Sequence, residues 1–526
     1  MNRLLRNNSR TTNTIFNLSS SILGQLITIV MQFAVRTVFI NTLGKSYLGI
    51  NGLFSNILTM LSLAELGVGS AILFKLYEPI AKNDKHRIAI LMKFYKTVYR
   101  VIGIAIIIIG VCLIPFLPFI ISDYDSLATL NIRASLIFIL YLFKSASTYF
   151  FFAYKTAIIK ANQKEYLLNL ISYLFTIGMS VIQIVCLLIS PNFEVYVLIS
   201  VGEIVVRNFV NAKLADVMYP YINEKTTDKI SVGEIKEIFK DCIALLIQKI
   251  NGVVLKASDN IVMSMFLGLE SVALYSNYYV LYTTLTSLFS RVFDSVVYSL
   301  GNLHTTNDKD HEYEIFKSVN LITVILGGTA GVGIAVCADE LIHVWIGNKW
   351  IISQPFSLLM GMETFTLALR LSLSKYRSTM GLFQQMKYRP IASMMINLVI
   401  SVVLVQSCGI SGVLVGTIIA DWTTTMWFDP VIIYKYGFRE KYQIRSYFLR
   451  ILKYVIVTTT VGIIDYWICV NLFVNHGWIS VFIHMLICGI SVPVALVISV
   501  RNQTEGKYVF KLGMNYIRKI MHKKRS

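Results

Sequence analysis

The stretch that decides the fold runs from Val101 to Ile121, VIGIAIIIIGVCLIPFLPFII. It holds 21 residues and no charge. A bilayer core of roughly 30 Å needs about 20 apolar residues of helix, so the stretch reads as a membrane crossing. Working outward in both directions, fourteen such segments can be drawn: 15–40, 47–74, 97–121, 131–156, 167–189, 195–219, 240–266, 269–300, 318–343, 355–379, 389–407, 410–436, 447–472 and 477–500. The seventh and eighth carry charges. The first is too long for a signal peptide and no small-residue cleavage site follows it, so it is expected to stay as a helix.

Composition agrees. Of 526 residues, 55% are hydrophobic and 15% charged, against about 45–50% and about 25% in a soluble domain. That excludes a cytosolic enzyme, a secreted disulfide scaffold and a disordered chain. The seven cysteines are scattered, without a CxxC or Cys/His cluster, so neither a disulfide framework nor a metal site is expected.

The net charge of +19 would suggest nucleic acid in a soluble protein. Here it sorts by side. The N-terminus, the loops near 75–100, 155–164, 213–240, 301–317, 370–389 and 435–453, and the tail 501–526 hold 39 Lys and Arg. The opposite loops hold two, Lys45 and Lys349. The rule that cytoplasmic loops are basic then places both termini in the cytoplasm, and no nucleic-acid partner is needed. The tail from Lys507 to Arg525 mixes apolar residues with seven basic ones. It reads equally as a leaflet-bound amphipathic end or as a frayed basic end that fixes topology.

A shift of 224 residues aligns Leu43-Gly44 with Leu267-Gly268 and Asn83-Asp84-Lys85 with Asn307-Asp308-Lys309. The first and seventh segments then correspond and run in the same direction, which predicts two six-helix lobes about an axis along the membrane normal. The ranges that follow are 1–222 and 223–440 for the lobes, 441–500 for two added helices and 501–526 for the basic tail. The fold class is all-α and integral to the membrane.

The run Arg36 to Phe54, RTVFINTLGKSYLGINGLF, and Leu61 to Ala71, LSLAELGVGSA, resemble the opening of Wzx-type polysaccharide repeat-unit flippases. These form the polysaccharide transporter family, in the superfamily that also holds MATE-type multidrug exporters and lipid II flippases. The likeness of motif is confined to about residues 30–90. It implies a MATE-like fold in the bacterial cytoplasmic membrane. It further implies movement of an undecaprenyl-pyrophosphate-linked oligosaccharide from the inner to the outer leaflet for capsule or exopolysaccharide. A polysaccharide polymerase and other assembly proteins are the implied partners beside the lipid bilayer. No site residue follows from the motif.

Candidate residues come instead from charges inside the segments, where each costs about 2.5–3.5 kcal/mol at mid-bilayer unless it faces protein or water. Lys249 and Lys256 share a face of the seventh segment with Asn260, and under the 224 shift they fall on Gln25, Gln32 and Arg36. A common cavity face explains this. The plainer readings are that Arg36 snorkels outward and that Asp259 holds Lys256. Arg133, Lys144 and Lys155 recur every eleven residues, a basic stripe down one face of the fourth segment. Such a stripe suits a moving anionic headgroup, or its ends snorkel and only Lys144 is buried. Glu203 with Arg207 and Arg291 with Asp294 have the spacing of neutralised pairs.

Arg36, Lys144, Lys256, Arg291, Lys249 and Gln32 are therefore candidate headgroup contacts, with Glu65, Asp259 and Asp294 as counter-ion or coupling groups. Asp421 and Asp465 rank below them. The GxxxG within Gly327–Gly333 signals close helix packing.

Gly44-Lys45-Ser46 matches the end of a P-loop, but position 39 is Phe where Gly is required. With no nucleotide site and no cofactor, energy must come from an H+ or Na+ gradient, membrane potential or substrate flow. No catalytic constellation is visible, so the chain reads as no enzyme. A glycan polymerase would need a larger outer loop, and a MATE-like small-molecule exporter an acidic pocket. A lipid II flippase differs only in cargo. Reporter fusions after residues 125 and 526 should read outside and inside respectively; an external C-terminus would overturn the assigned orientation.

Overall fold

The computed structural model describes residues 10–129, 132–224, 228, 230–305, 309–352, 355–380, 382, 384–386, 388–472 and 477–507. Its elements are α1 Arg10–Leu43, α2 Lys45–Leu61, α3 Leu63–Ala81, α4 Lys85–Leu113, α5 Leu117–Ile120, α6 Tyr124–Thr129, α7 Ala134–Phe150, α8 Thr156–Ala161 and α9 Glu165–Ile189. They continue with α10 Phe193–Met218, α11 Val232–Leu267, α12 Leu269–Thr305, α13 Lys309–Ile346, α14 Pro355–Thr379, α15 Arg389–Ile432, α16 Ile444–Leu472 and α17 Trp478–Ser499. The described residues form no strand. This is an all-helical membrane protein, as the apolar segments require.

Among the described residues, eight helices are long and apolar enough to cross a membrane: α1, α4, α9, α13, α14, α15, α16 and α17. Ala134–Phe150 and Ala153–Ala161, bent by 44°, make a ninth if they are one span. The expected count of fourteen is higher. The difference lies in segments that are helical but broken or charged. α2 and α3 part at Ser62, while α10, α11 and α12 carry several ionised residues each. α15 is also two helices in one. Gly409 breaks it at φ 58°, ψ −140°, and the arms fold back on each other. Asn397 Nδ2 donates to Thr417 Oγ1 at 2.9 Å, and Ser401 Oγ to the Val413 carbonyl at 3.3 Å.

The 224-residue register reappears in the element boundaries. α1 ends and α2 begins around Gly44; α11 ends and α12 begins around Gly268. Both glycines are extended with positive φ, 86° and 80°, a region essentially reserved for glycine. The ends of α12 and start of α13 likewise follow those of α3 and α4 by 224 residues. Side-chain caps start α4 (Asp84 accepting from Arg87 N, 2.9 Å), α10 (Asn192 from Val195 N, 3.1 Å) and α11 (Ser231 from Glu234 N, 3.2 Å).

The chain forms two compact units, Met1–Ala273 and Leu274–Ser526. The division differs from the repeat-based ranges because α11 packs on α2 and α3 of the first unit. Arg87 of α4 pairs with Glu234, and Lys75 of α3 with Glu237 at 3.0 Å. At the other end of α11, Ser122 N donates to the Ser264 carbonyl at 3.2 Å. Elsewhere in this unit Gly24 lies against the Tyr173 ring, setting α1 on α9, and Gly110 lies under Leu142, setting α4 on α7.

In the second unit the GxxxG reading holds. Gly331 of α13 faces the carbonyl of Gly361 on α14, and a Cβ on either would meet the other's oxygen at 2.7 or 2.4 Å. Backbones this close are the purpose of small residues in membrane helices. The far side of α13 takes α16 and α17: Gly328 meets Thr458 and Val492, and Glu340 bonds His484 at 2.6 Å. Gly268→Ala adds a Cβ that meets Asp123 Oδ2 at 2.0 Å, on a backbone that disfavours alanine. It should destabilise by about 1–3 kcal/mol from the backbone alone, seen as a lower melting temperature in detergent. Gly178→Ala, with open space around it, should melt like the wild type.

Candidate functional site

The polar interior of the first unit is built by α1, α2, α7 and α10. α7 and α10 run side by side, and their charges meet in register. Arg133 Nη2, just before α7, lies 3.0 Å from Glu194 Oε1 on α10. Lys155 Nζ, past the bend after α7, lies 2.6 and 2.7 Å from the two oxygens of Asp216 and 3.0 Å from Asn223 Oδ1. Both carboxylates come 61 residues after their cations, although the stripe expected on one straight helix is carried by a pair bent by 44° between Phe150 and Ala153. The basic stripe is thus matched by an acidic one, and its two ends are neutralised.

Lys144, between them, is different. Its ammonium lies 5.6 Å from the Tyr141 ring centroid and makes no ion pair among the described residues. Glu203 and Arg207 of α10 are its charged neighbours, but Glu203 is bonded to Arg207, 3.1 Å from Nε. The pairing expected for Glu203 and Arg207 is present. It leaves Lys144 half-buried with only the field of a shared carboxylate.

Toward the N-terminal end of α7 the polar groups continue. Tyr141 hydroxyl donates to Asn51 Oδ1 of α2. Tyr196 of α10 stands within electrostatic reach of both Tyr141 and Arg36 of α1. Arg36 is half-buried, held there by Phe39 one turn on, whose ring meets Phe193 at 5.6 Å and Tyr196 at 5.0 Å. On the residue after Lys144, the Ser145 hydroxyl lies 3.3 Å from that of Ser62. Tyr141 and Tyr196 thus link Lys144 to Arg36 along one polar seam, in which Lys144 and Arg207 share the carboxylate of Glu203.

The other candidates fall differently. Gln32 is exposed on α1. Asp259 is buried on α11, beside buried Asn260. The side chains of Glu65, Lys249, Lys256, Arg291 and Asp294 lie outside the described residues.

Sequence reading missed a network in the second unit. Arg370 of α14 pairs with Asp421 of α15 and stands 3.8 Å from Glu363. Tyr282 hydroxyl donates to Glu363 at 2.8 Å. Arg377 and Arg389 each lie 3.3 Å from oxygens of Asp429. α14 ends at Thr379, where the drawn segment 355–379 ends, and Arg370, Arg377 and Arg389, counted with the basic loop near 370–389, lie against buried carboxylates. The available signal was the apolar continuation Leu367–Leu373 around Arg370. Asp421 is thus the partner of an arginine.

Against this geometry the comparisons can be placed. Residues 43–355 match the family described as polysaccharide biosynthesis protein. The chain belongs to that family. The resemblance read from residues 36–71 is thereby confirmed. No curated protein is similar to the chain by sequence. Among solved structures, the lipid II flippase MurJ in an inward closed conformation aligns with a TM-score of 0.61 at 14% identity, covering 93% of this chain and 99% of that one. A multidrug resistance MATE family transporter of the MOP superfamily aligns in its outward-facing conformation with 0.54 at 12% identity, covering 84% and 98%. The inward-facing conformation of such a transporter gives 0.52 at 13%, covering 79% and 96%. At such identities the likeness is one of fold alone.

The second-unit network is balanced, three arginines to three carboxylates, so it reads as structural. Arg370→Ala leaves Asp421 and Glu363 buried without their cation and should cost about 3–5 kcal/mol. Arg370→Ala with Asp421→Ala should recover part of that loss. Thermal melting of the purified variants reads both.

Proposed function

We propose that the chain is a flippase. It carries undecaprenyl-pyrophosphate-linked oligosaccharide repeat units from the inner to the outer leaflet of the bacterial cytoplasmic membrane by alternating access, for capsule or exopolysaccharide. Both termini lie in the cytoplasm in this reading. Family membership supports a role in polysaccharide biosynthesis, and the fold supports transport.

The single observation that carries the chemistry is Lys144: a cation inside a membrane helix whose stripe-mates are paired and which is not. An intramembrane charge costs too much to be kept idle. An anion that visits the seam would supply what the protein withholds. Pyrophosphate suits it, because several charge-assisted bonds from Lys144, Arg207 and Arg36 replace its lost hydration. The lipid tail needs no polar path and stays in the bilayer. The sugars meet Asn51, Ser62, Ser145 and the tyrosine hydroxyls, groups that exchange hydrogen bonds with hydroxyls at little cost. The energy source in this reading is an H+ or Na+ gradient, membrane potential or substrate flow.

Lipid II shares the pyrophosphate link, and the seam fits that part of it equally. The cargo is therefore decided by the sugar. Vesicles loaded with either lipid separate the two.

Lys144→Ala should lower export of lipid-linked sugar at least about tenfold while the protein still inserts and purifies as a single species, since the residue has no ion pair to lose. Arg36→Lys should be milder than Arg36→Ala, because it keeps the charge and loses only the planar fork. Lys256→Ala extends the test to α11. Wild-type export by both Lys144→Ala and Arg36→Ala would sink the assignment of the seam.

A further inference from the structure

Glu203 occupies a place that the register of α7 and α10 does not dictate. At both ends of the stripe the carboxylate follows its cation by 61 residues; for Lys144 that position is Val205. Glu203 stands two residues earlier, and its oxygen is 3.1 Å from Arg207 Nε on its own helix. Its side chain is 11% exposed, so the charge is well removed from solvent. One carboxylate thus serves two cations: Arg207 by contact and Lys144 through the field. A permanent structural partner for Lys144 would sit in register, as Glu194 and Asp216 do for theirs.

We propose that Glu203 is an exchangeable counter-anion, a positioning residue that competes with the headgroup for Lys144 and Arg207 and so drives its release. The inference rests on the flippase reading. Its physics is a matter of balance. Lys144 and Arg207 without Glu203 would present two uncompensated charges to a pyrophosphate in a medium of low dielectric. An anion held by both would bind tightly and leave slowly, whereas transport requires binding weak enough to reverse on the far side. Glu203 lowers that field by one charge. When the anion departs, the carboxylate needs only a rotamer change to return to the cations it had shared. The empty seam is then never left with both cations uncompensated.

The test uses the full-length protein in nanodiscs, with inorganic pyrophosphate as the binding probe and lipid-linked sugar export from vesicles as the turnover assay. Glu203→Gln keeps the shape and removes the charge. It should bind pyrophosphate about tenfold more tightly and export about tenfold more slowly. A residue that merely neutralised Arg207 for folding would instead lower yield and weaken both readings. Glu203→Asp, which keeps the charge, should restore turnover toward the wild-type value. Binding by Glu203→Gln no tighter than the wild type overturns the proposal.

Should Glu203→Gln fail to fold, Arg207→Gln provides the background. The double variant with Glu203→Gln must then bind pyrophosphate more tightly than Arg207→Gln alone, and equality overturns the proposal. Lys144→Ala separates the two levels. If it binds pyrophosphate like the wild type, the seam is not the headgroup site and both readings fall. If it loses binding while Glu203→Gln gains none, only the role of Glu203 falls.

Discussion

The constraint that organises this molecule is the cost of charge in hydrocarbon. A lone ion there forfeits its hydration, and even the lenient figure of about 2.5–3.5 kcal/mol per residue is a large share of a marginal stability. The chain meets the cost by register. Arg133 with Glu194 and Lys155 with Asp216 tie two parallel helices at both ends, so one register satisfies both pairs. A slip of a single residue along α10 would rotate its acids by about 100° and unpair both. The second unit uses another device: three arginines of α14 and α15 are laid against Glu363, Asp421 and Asp429 in one balanced cluster. Paired charges of this kind contribute less to stability than to uniqueness of packing, because their attraction is spent on desolvation.

Close packing supplies the rest. Water drives helices into a membrane but does not drive them together once inside. Contact then depends on fit, and here fit depends on glycine. Gly331 against Gly361 brings α13 and α14 to backbone contact, and Gly328 lets α16 and α17 reach the opposite side of α13. Gly49 does the same for α2, where a Cβ would meet the Leu269 carbonyl at 2.2 Å. The same residue at Gly44 and Gly268 has another use, permitting a chain direction that L-residues avoid. Both corners stand at the same register of a 224-residue repeat, so the turn is a property of the repeating unit.

What the sequence disclosed follows from the range of each interaction. Apolar length, the glycine corners and the GxxxG are local, and they were legible. So was the eleven-residue spacing of Arg133, Lys144 and Lys155, although the bend after α7 means that no single straight helix carries all three. Their partners were not, since 61 residues and two intervening helices separate each cation from its acid. The partners of Arg370, Arg377 and Arg389 were hidden for the same reason. A lysine or arginine near a helix end is normally a sign of side, and only the fold reveals Asp421 and Asp429 across from them. The pairing of Glu203 with Arg207 was visible at its spacing of four, but its sharing with Lys144 depends on how α7 lies on α10.

That sharing distinguishes the seam from the other charged clusters. In a structural pair each ion has its own partner, and the energy minimum is steep. Around Glu203 two cations share one carboxylate, so several arrangements have similar energy and neither cation has an acid to itself. Evolution tolerates such a shortfall in a membrane only where something else completes it part of the time. The missing charge must be negative, must arrive and leave, and must be carried by a molecule whose other parts are compatible with lipid. A pyrophosphate linked to a long hydrocarbon meets all three conditions. A small organic cation fails the first of them, because its charge would add to a site already short of anions. In the proposed function the excess of cations over carboxylates around Glu203 thus favours an anionic cargo before any sugar is considered.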